Sequence, residues 1–132
     1  MTFEEVDTKL GTLQPFIQYL LDTDESEWRV DTVRNADNTE NCLFGHLVNF
    51  IYGKDYKGNI SRAWDFFEEA WSSTYEVYDI NDGKDERYQQ RTPRQRCIAF
   101  MKDLSLGLQP PTWQAMENDH IKYKQMTQGG DI

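Results

Sequence analysis

Cys42 and His46 are the two residues whose types and spacing come nearest to catalytic chemistry. They lie four positions apart, so on a helix they share one face. The dipole of a helix favours a thiolate in its first turn, and an adjacent imidazole can deprotonate the thiol further. A thiol hydrolase also needs an oxyanion site and a third group that orients the base, and the sequence carries no signature of either. We therefore predict that the protein is not an enzyme, and a cysteine-dependent enzyme is the second alternative.

A metal site is the next chemistry that the residue types allow. The complete set of cysteine and histidine residues is Cys42, His46, Cys97 and His120. Their types match a Cys2His2 zinc site, but structural zinc sites take paired ligands from tight turns, and the last two residues are far apart. The acidic stretch at residues 79–86 is similar to a calcium loop, yet its glycine falls at the fifth position and no glutamate follows at the required place. We predict no metal and no cofactor.

Arginines and aromatic rings in the second half of the chain define a candidate ligand site. A guanidinium group grips phosphates through two hydrogen bonds, and rings stack on bases. The candidate ligand-binding residues are Trp71, Tyr75, Tyr78, Arg87, Arg91 and Arg94. A small-ligand binder that sequesters a nucleotide-like signal is therefore the first alternative function. In the competing interpretation, the arginines neutralise the protein's own acids.

The strongest signal is an uneven negative charge. The net charge is −9, and residues 1–40 carry ten acids against three bases, whereas residues 91–132 carry four against six. Phosphate binding relies on Lys and Arg, so the first two-thirds of the chain suits neither nucleic acid nor anionic lipid but a basic protein. The candidate partner-binding residues are Asp22, Asp24, Glu25, Glu27, Asp31, Asp37 and Glu40. The competing interpretation is a solvated surface that keeps the protein soluble.

The length and composition predict the domain that carries these residues. A chain of 132 residues fits one domain, and its 14% of aromatic residues predicts a core rich in rings. We predict a single globular domain at residues 1–126 and a flexible tail at residues 127–132. No segment is long and apolar enough to cross a bilayer, and none is typical of a signal peptide, so we expect a cytoplasmic protein with reduced thiols.

Helices are predicted over most of the chain. The pattern Thr2 to Glu5 is typical of a capping box, and Pro15 suits the first turn of a restarted helix, which leaves one kinked helix or two. Residues 42–52 are apolar almost all round and predict the central buried helix. Asn59 is expected to cap the next helix, and Thr92 with Pro93 begins the last core helix. A further helical stretch is expected at residues 113–123.

Short extended segments are predicted between these helices. Trp28, Val30 and Thr32 alternate with charged residues, which favours a strand, and residues 35–38 favour a turn. The two features together predict a hairpin that closes near Asn41. Residues 75–80 favour a weak strand or extended linker before the turn at residues 81–83. The predicted fold is therefore mainly α, with about five helices and a short β-hairpin.

Three features together carry a resemblance to a known family. Trp28 precedes a turn, Asn41-Cys42-Leu43-Phe44-Gly45 opens the buried helix, and Asn81-Asp82 precedes the helix capped by Thr92. Over roughly residues 28–104 the chain resembles a family of small uncharacterised proteins from actinobacteria and their phages, marked by Cys-x-x-Gly and a later Asn-Asp. The resemblance implies packed helices with a minor hairpin and brings no assigned activity. The family usually has a small residue where His46 stands.

These observations together give the predicted function. We predict a non-enzymatic, acidic interaction protein whose protein partner has a basic surface, without direct contact to nucleic acid or membrane. The resemblance and the high charge suggest a phage-encoded inhibitor in the host cytoplasm. Such an inhibitor would occupy the basic surface of a host defence or nucleic-acid-binding protein.

Overall fold

The structure is a computed structural model that describes residues 2–70 and 74–106. In these ranges it contains six α-helices, and one 3₁₀ turn lies at Glu25–Glu27. The helices are α1 Phe3–Leu10, α2 Gln14–Leu21, α3 Leu43–Tyr52, α4 Ser61–Ala70, α5 Thr74–Asp82 and α6 Pro93–Ser105. The mainly helical prediction is confirmed. The tail at residues 127–132 and the helix expected at residues 113–123 lie outside the described residues.

The first two helices are separate. The predicted capping box is present, because Glu5 N donates to Thr2 Oγ1 (3.1 Å) and Thr2 N donates to Glu5 Oε2 (3.0 Å). Gly11 and Leu13 both have positive φ angles, 45° and 70°, which end α1 and redirect the chain. Pro15 then lies in the first turn of α2, as predicted.

Helix α3 is the centre of the core, as its apolar sequence predicts. It contacts the other five helices. Leu43, Leu47 and Ile51 are completely buried, and Gly53 ends the helix with a φ of 88°. Around it, α6 packs against α2 and α5. Helix α6 begins as predicted, with the Thr92 hydroxyl accepting a hydrogen bond from Gln95 N (3.1 Å).

The predicted hairpin is wrong. Residues 22–41, which we call the acidic loop, connect α2 to α3 without a strand, and their ladder is reduced to isolated bridges from Asn41 to Trp28 and Arg34. Asp31 has a φ of 71°, which breaks an extended run. The alternation of Trp28 and Val30 also fails to place them on one face, since Trp28 is buried and Val30 is exposed.

The extended segment predicted at residues 75–80 is also wrong, because it forms most of α5. Its buried side chains include Val77 and Ile80, three positions apart, which is helical spacing. Gly83, with a φ of 79°, follows this helix. No helix in the described ranges is long and apolar enough to span a membrane.

Candidate functional site

The acidic loop is held in place at its first end by α6. The Arg94 guanidinium donates from Nε to Thr23 O (2.9 Å) and from a terminal nitrogen to Leu21 O (2.8 Å). The buried Trp28 donates its indole N–H to Thr23 Oγ1 (2.8 Å), and its ring centroid lies 4.2 Å from that of His46. These contacts fix the start of the loop against α2, α3 and α6.

The second half of the loop is tied to its first half by backbone hydrogen bonds. Asn41 N donates to Glu27 O (2.9 Å), and Arg29 N donates to Asn41 O (3.2 Å). Cys42 N, at the start of α3, donates to Val33 O (2.8 Å). The loop is therefore a folded platform, although it contains no strand.

Asn81 on α5 connects the Asn-Asp motif to the Cys-x-x-Gly motif. Cys42 occupies the N-cap position of α3 but makes no capping hydrogen bond with its side chain. The buried Asn81 supplies the cap instead, because its Oδ1 accepts from Leu43 N (2.9 Å) and from the Cys97 thiol (3.5 Å). Its amide nitrogen donates to Arg29 O of the acidic loop (2.8 Å). The Asn-Asp motif therefore connects α5 to α3 and to the loop.

Gly45, the last residue of the Cys-x-x-Gly motif, has a steric role. A Cβ atom at this position would lie 2.5 Å from Asn41 Oδ1 and 2.7 Å from Val33 O. Both distances are too short for a carbon atom, so the close approach of α3 to the loop requires glycine. Within the described residues, the motifs thus explain how the loop is packed.

The acidic side chains of the loop divide into two groups. Five of the seven are exposed, and Glu27 and Glu40 are half-buried. Asp24 and Glu27 form a capping box around the 3₁₀ turn, in which Ser26 N donates to Asp24 Oδ2 (3.0 Å). Glu25 Oε1 accepts from Thr92 Oγ1 (3.2 Å) and lies 3.9 Å from Arg94. Asp24, Glu25 and Glu27 therefore also maintain the local structure.

Asp22, Asp31 and Asp37 are exposed acids whose charge is not compensated by ion pairs in the part of the chain that the structure describes. Asp22 accepts one hydrogen bond from the Gln18 amide (3.0 Å), and Asp37 accepts one from the Thr39 hydroxyl (2.9 Å). An asparagine can accept either bond, so the charge of these residues can be removed with little change in structure.

The candidate ligand-binding residues do not converge on one site within the described ranges. Arg94 binds backbone carbonyls of the loop, and Arg87 forms a two-pronged pair with Asp85 (Nε to Oδ1, 2.9 Å). Arg91 is exposed, and Tyr78 lines a different pocket, described below. The candidates Trp71 and Tyr75 fall outside what the structure describes, Trp71 entirely and Tyr75 for its side chain. Arg87 is therefore paired with one of the protein's own acids, whereas Arg94 donates to backbone carbonyls.

Sequence reasoning missed the structural role of Arg96. Its buried guanidinium donates to Ile80 O (3.0 Å), Asn81 O (2.7 Å) and Gln90 O (2.9 Å). Two of these carbonyls belong to the last turn of α5, where a cation is favourable. The sequence signal was the position of Arg96 on the same face of α6 as the core residue Phe100.

A pocket of about 220 Å³ lies between the acidic loop and the helices α3 and α5. Its lining residues are Asp31, Thr32, Val33, Cys42, Tyr78 and Asp82. Burial raises the pKa of Tyr78 to about 12, and burial also raises the pKa of the Cys42 thiol. Near neutral pH the pocket therefore contains a protonated phenol and a protonated thiol beside two aspartates.

The geometry of Cys42 and His46 is that of core residues. His46 Nε2 lies 3.0 Å from Glu27 O and donates to it as the neutral tautomer, so the imidazole binds the loop backbone. Its burial lowers its pKa to about 4. Cys97 is completely buried, and burial raises its pKa. A protonated thiol and a hydrogen-bonded, buried imidazole lack the features of an activated nucleophile and its base.

The described residues contain no group of three or more His, Cys, Asp or Glu side chains placed to hold a metal ion, and His120 lies outside them. No protein family, curated protein or solved structure matches this chain. The family resemblance and the phage origin that it suggests therefore stay predictions.

Proposed function

We propose that this protein is a non-enzymatic interaction protein that binds the basic surface of a protein partner through the acidic loop. The observation that carries the proposal is that the exposed carboxylates of Asp22, Asp31 and Asp37 stand on a loop whose backbone is fixed at both ends. A fixed array of charges loses little conformational entropy on binding. It also steers a basic partner during its approach.

The proposal extends to inhibition of nucleic-acid-binding proteins. Such proteins hold phosphates with clusters of Lys and Arg, and an acidic loop seated on those residues excludes the nucleic acid. The alternative, a binder of nucleotide-like ligands, is not favoured by the described side chains, because Arg87 and Arg94 are engaged at separate places.

The test compares two triple variants that have the same net charge. The loop variant is Asp22→Asn/Asp31→Asn/Asp37→Asn, and the control variant Asp55→Asn/Glu68→Gln/Glu86→Gln neutralises three exposed acids elsewhere. Asp24, Glu25 and Glu27 are left unchanged because they maintain the loop. Each protein is measured by surface plasmon resonance against immobilised folded basic proteins, including nucleic-acid-binding domains, with folded acidic proteins as a counter-panel.

We expect the unaltered protein to bind members of the basic panel, and binding should weaken as salt rises because the charges are exposed. The loop variant should lose about tenfold in affinity, while the control variant keeps most of it, since only the first changes the interface. Competition with an oligonucleotide tests inhibition. Equal losses in both triple variants would show that overall charge is responsible and would contradict a role for the loop.

A further inference from the structure

The pocket beside Asp31 differs from the rest of the acidic loop because it combines apolar walls with two carboxylates. Val33, Cys42 and the Tyr78 ring line it, and the first two of these are held in place by the hydrogen bond between Cys42 N and Val33 O (2.8 Å). Its volume of about 220 Å³ is below the roughly 300–1,000 Å³ of pockets for drug-sized ligands. A pocket of this size fits a single long side chain.

Asp82 is fixed in an orientation that leaves one oxygen for a ligand. Its Oδ1 accepts from Asp31 N (3.1 Å) and from the Asn81 amide (3.0 Å). Its Oδ2 accepts no hydrogen bond from the described residues. The Asp31 side chain is exposed beside it, on a residue with a φ of 71° that an aspartate tolerates better than most residues do.

Neither carboxylate of the pocket is neutralised by the described part of the chain. The ion pairs of that part involve other acids, among them Asp85 with Arg87 and Asp7 with Arg62. Asp31 and Asp82 therefore have no ion-pair partner among the described residues, and they lie at a partly enclosed site with apolar walls. A long cationic side chain complements both features, because its stem is apolar and its head is charged.

We propose that this pocket receives one arginine side chain of the basic partner, with the stem along Val33 and Tyr78 and the guanidinium between Asp31 and Asp82. Arginine fits better than lysine because its planar head bonds two oxygens at once, stacks on aromatic rings and is weakly hydrated. The inference rests on the proposed function, since it names the residue by which the acidic loop would recognise its partner.

The experiment uses the full chain and a short peptide, acetyl-Gly-Gly-Arg-Gly-Gly-amide. Matched peptides carry lysine or citrulline, the neutral isostere of arginine, in place of the arginine. Binding is followed by chemical-shift changes of backbone amides in ¹H–¹⁵N NMR spectra, which also show that each variant is folded. The arginine peptide should shift the amides of Asp31, Thr32 and Asp82, the lysine peptide should bind more weakly, and the citrulline peptide should not bind.

Three variants test the role of the pocket. Asp82→Asn keeps the Oδ1 acceptor but removes the charge, and it should lower the affinity for the arginine peptide about tenfold. Thr32→Trp fills the pocket without changing the charge and should abolish the local shifts. Asp55→Asn is the control, since it removes one exposed charge outside both the acidic loop and the pocket, and its effect should be small.

The experiment distinguishes a failure of the pocket inference from a failure of the proposed function. If the arginine peptide shifts amides around Asp22 and Asp37 while those of the pocket stay unchanged, the pocket inference is wrong and the proposed function stands. The same conclusion follows if lysine binds more tightly than arginine, or if Thr32→Trp binds as well as the unaltered protein. If neither the cationic peptides nor the basic proteins of the earlier test bind, the proposed function fails as well.

Discussion

Burial shifts the pKa values of several side chains in this protein, and Glu76 is the clearest case. Its carboxylate is buried on α5 and lies 3.7 Å from the Arg87 guanidinium, and neither oxygen accepts a hydrogen bond within the described residues. Burial raises its pKa to about 7, with Asp85 and Asp79 adding to the increase and Arg87 opposing it. A buried, poorly satisfied carboxylate destabilises the folded state when it is charged.

This pKa predicts a pH-dependent effect of Glu76→Gln. The folded pKa is about 7 and the ordinary value is 4.5, so between these pH values the folded protein binds more protons at this site than the unfolded chain. The contribution of Glu76 to the free energy of unfolding therefore falls as pH rises from 4.5 to 7 and is constant above 7. Glu76→Gln should become progressively more stable than the unaltered protein across that window, as measured by urea unfolding.

The stability of Glu76→Gln must be compared with that of the unaltered protein at each pH, because His46 changes the free energy of unfolding with pH in the opposite direction. Its folded pKa of about 4 lies below the ordinary value of 6.5, so its contribution to stability is present above pH 6.5 and is lost as pH falls. His46 is common to both proteins and cancels. Glu68→Gln, an exposed substitution on α4, is the control and should show no such trend. A stability difference for Glu76→Gln that is the same at pH 5 and pH 8 would contradict the prediction.

At the scale of elements, the sequence predicted the helices whose signals are local. Thr2 with Glu5, Thr92 with Pro93, and the apolar run of α3 each predicted a helix that the structure contains. The wrong predictions fall where tertiary contacts determine the backbone conformation. The acidic loop is organised by distant groups such as Arg94 and Asn81, which a pattern of alternating residues cannot show.

The residues of the candidate site were predictable from the sequence, but their separate structural roles were not. The sequence located the acidic residues, since charge density can be counted, but it did not show that Asp24 and Glu27 cap a 3₁₀ turn whereas Asp31 lines a pocket. Tyr78 also lines this pocket, but it is too far from the loop in the sequence for a local residue pattern to predict their contact. The sequence identified Arg87 and Arg94, but it did not show that Arg94 binds the carbonyls of Leu21 and Thr23, because this contact depends on the packing of α6 against α2.

Asn81 gives the prediction that belongs to the level of elements. Removing its side chain leaves the amide of Leu43, the thiol of Cys97 and the carbonyl of Arg29 without a partner, two of them in the core. Asn81→Ala should lower the free energy of unfolding by about 2–4 kcal/mol, because unpaired buried polar groups retain their full desolvation penalty. Chemical unfolding monitored by tryptophan fluorescence measures the change.

The control for this variant is Asp79→Ala, which truncates an exposed side chain on the same helix and should change stability by less than about 0.5 kcal/mol. Asn81→Asp is informative as well. It keeps an oxygen for Leu43 N but places a second carboxylate beside Asp82 and loses the donor to Arg29 O, so it should also be destabilising. Equal stability of Asn81→Ala and the control would show that α3 does not depend on this cap.

For the whole molecule, the net charge of −9 has two opposite consequences. Like charges repel within the folded protein and destabilise it, whereas the same charges attract a basic partner. Both effects are screened by salt, because most of the described acids are exposed. The acidic loop is therefore expected to combine a stability cost with a binding benefit, and the two can be measured separately.

Raising the salt concentration from about 10 mM to about 200 mM should therefore increase the melting temperature of the protein while weakening its binding to basic proteins. The reason is that the Debye length shrinks from roughly 30 Å to under 10 Å.

The loop variant Asp22→Asn/Asp31→Asn/Asp37→Asn should melt at a higher temperature than the unaltered protein at low salt. The control variant Asp55→Asn/Glu68→Gln/Glu86→Gln should show a similar increase, because repulsion depends on the total charge. Only the loop variant should lose binding, so stability and binding separate between two proteins of equal charge. A melting temperature that falls with added salt would show that favourable ion pairs, such as Arg62 with Asp7, outweigh the repulsion.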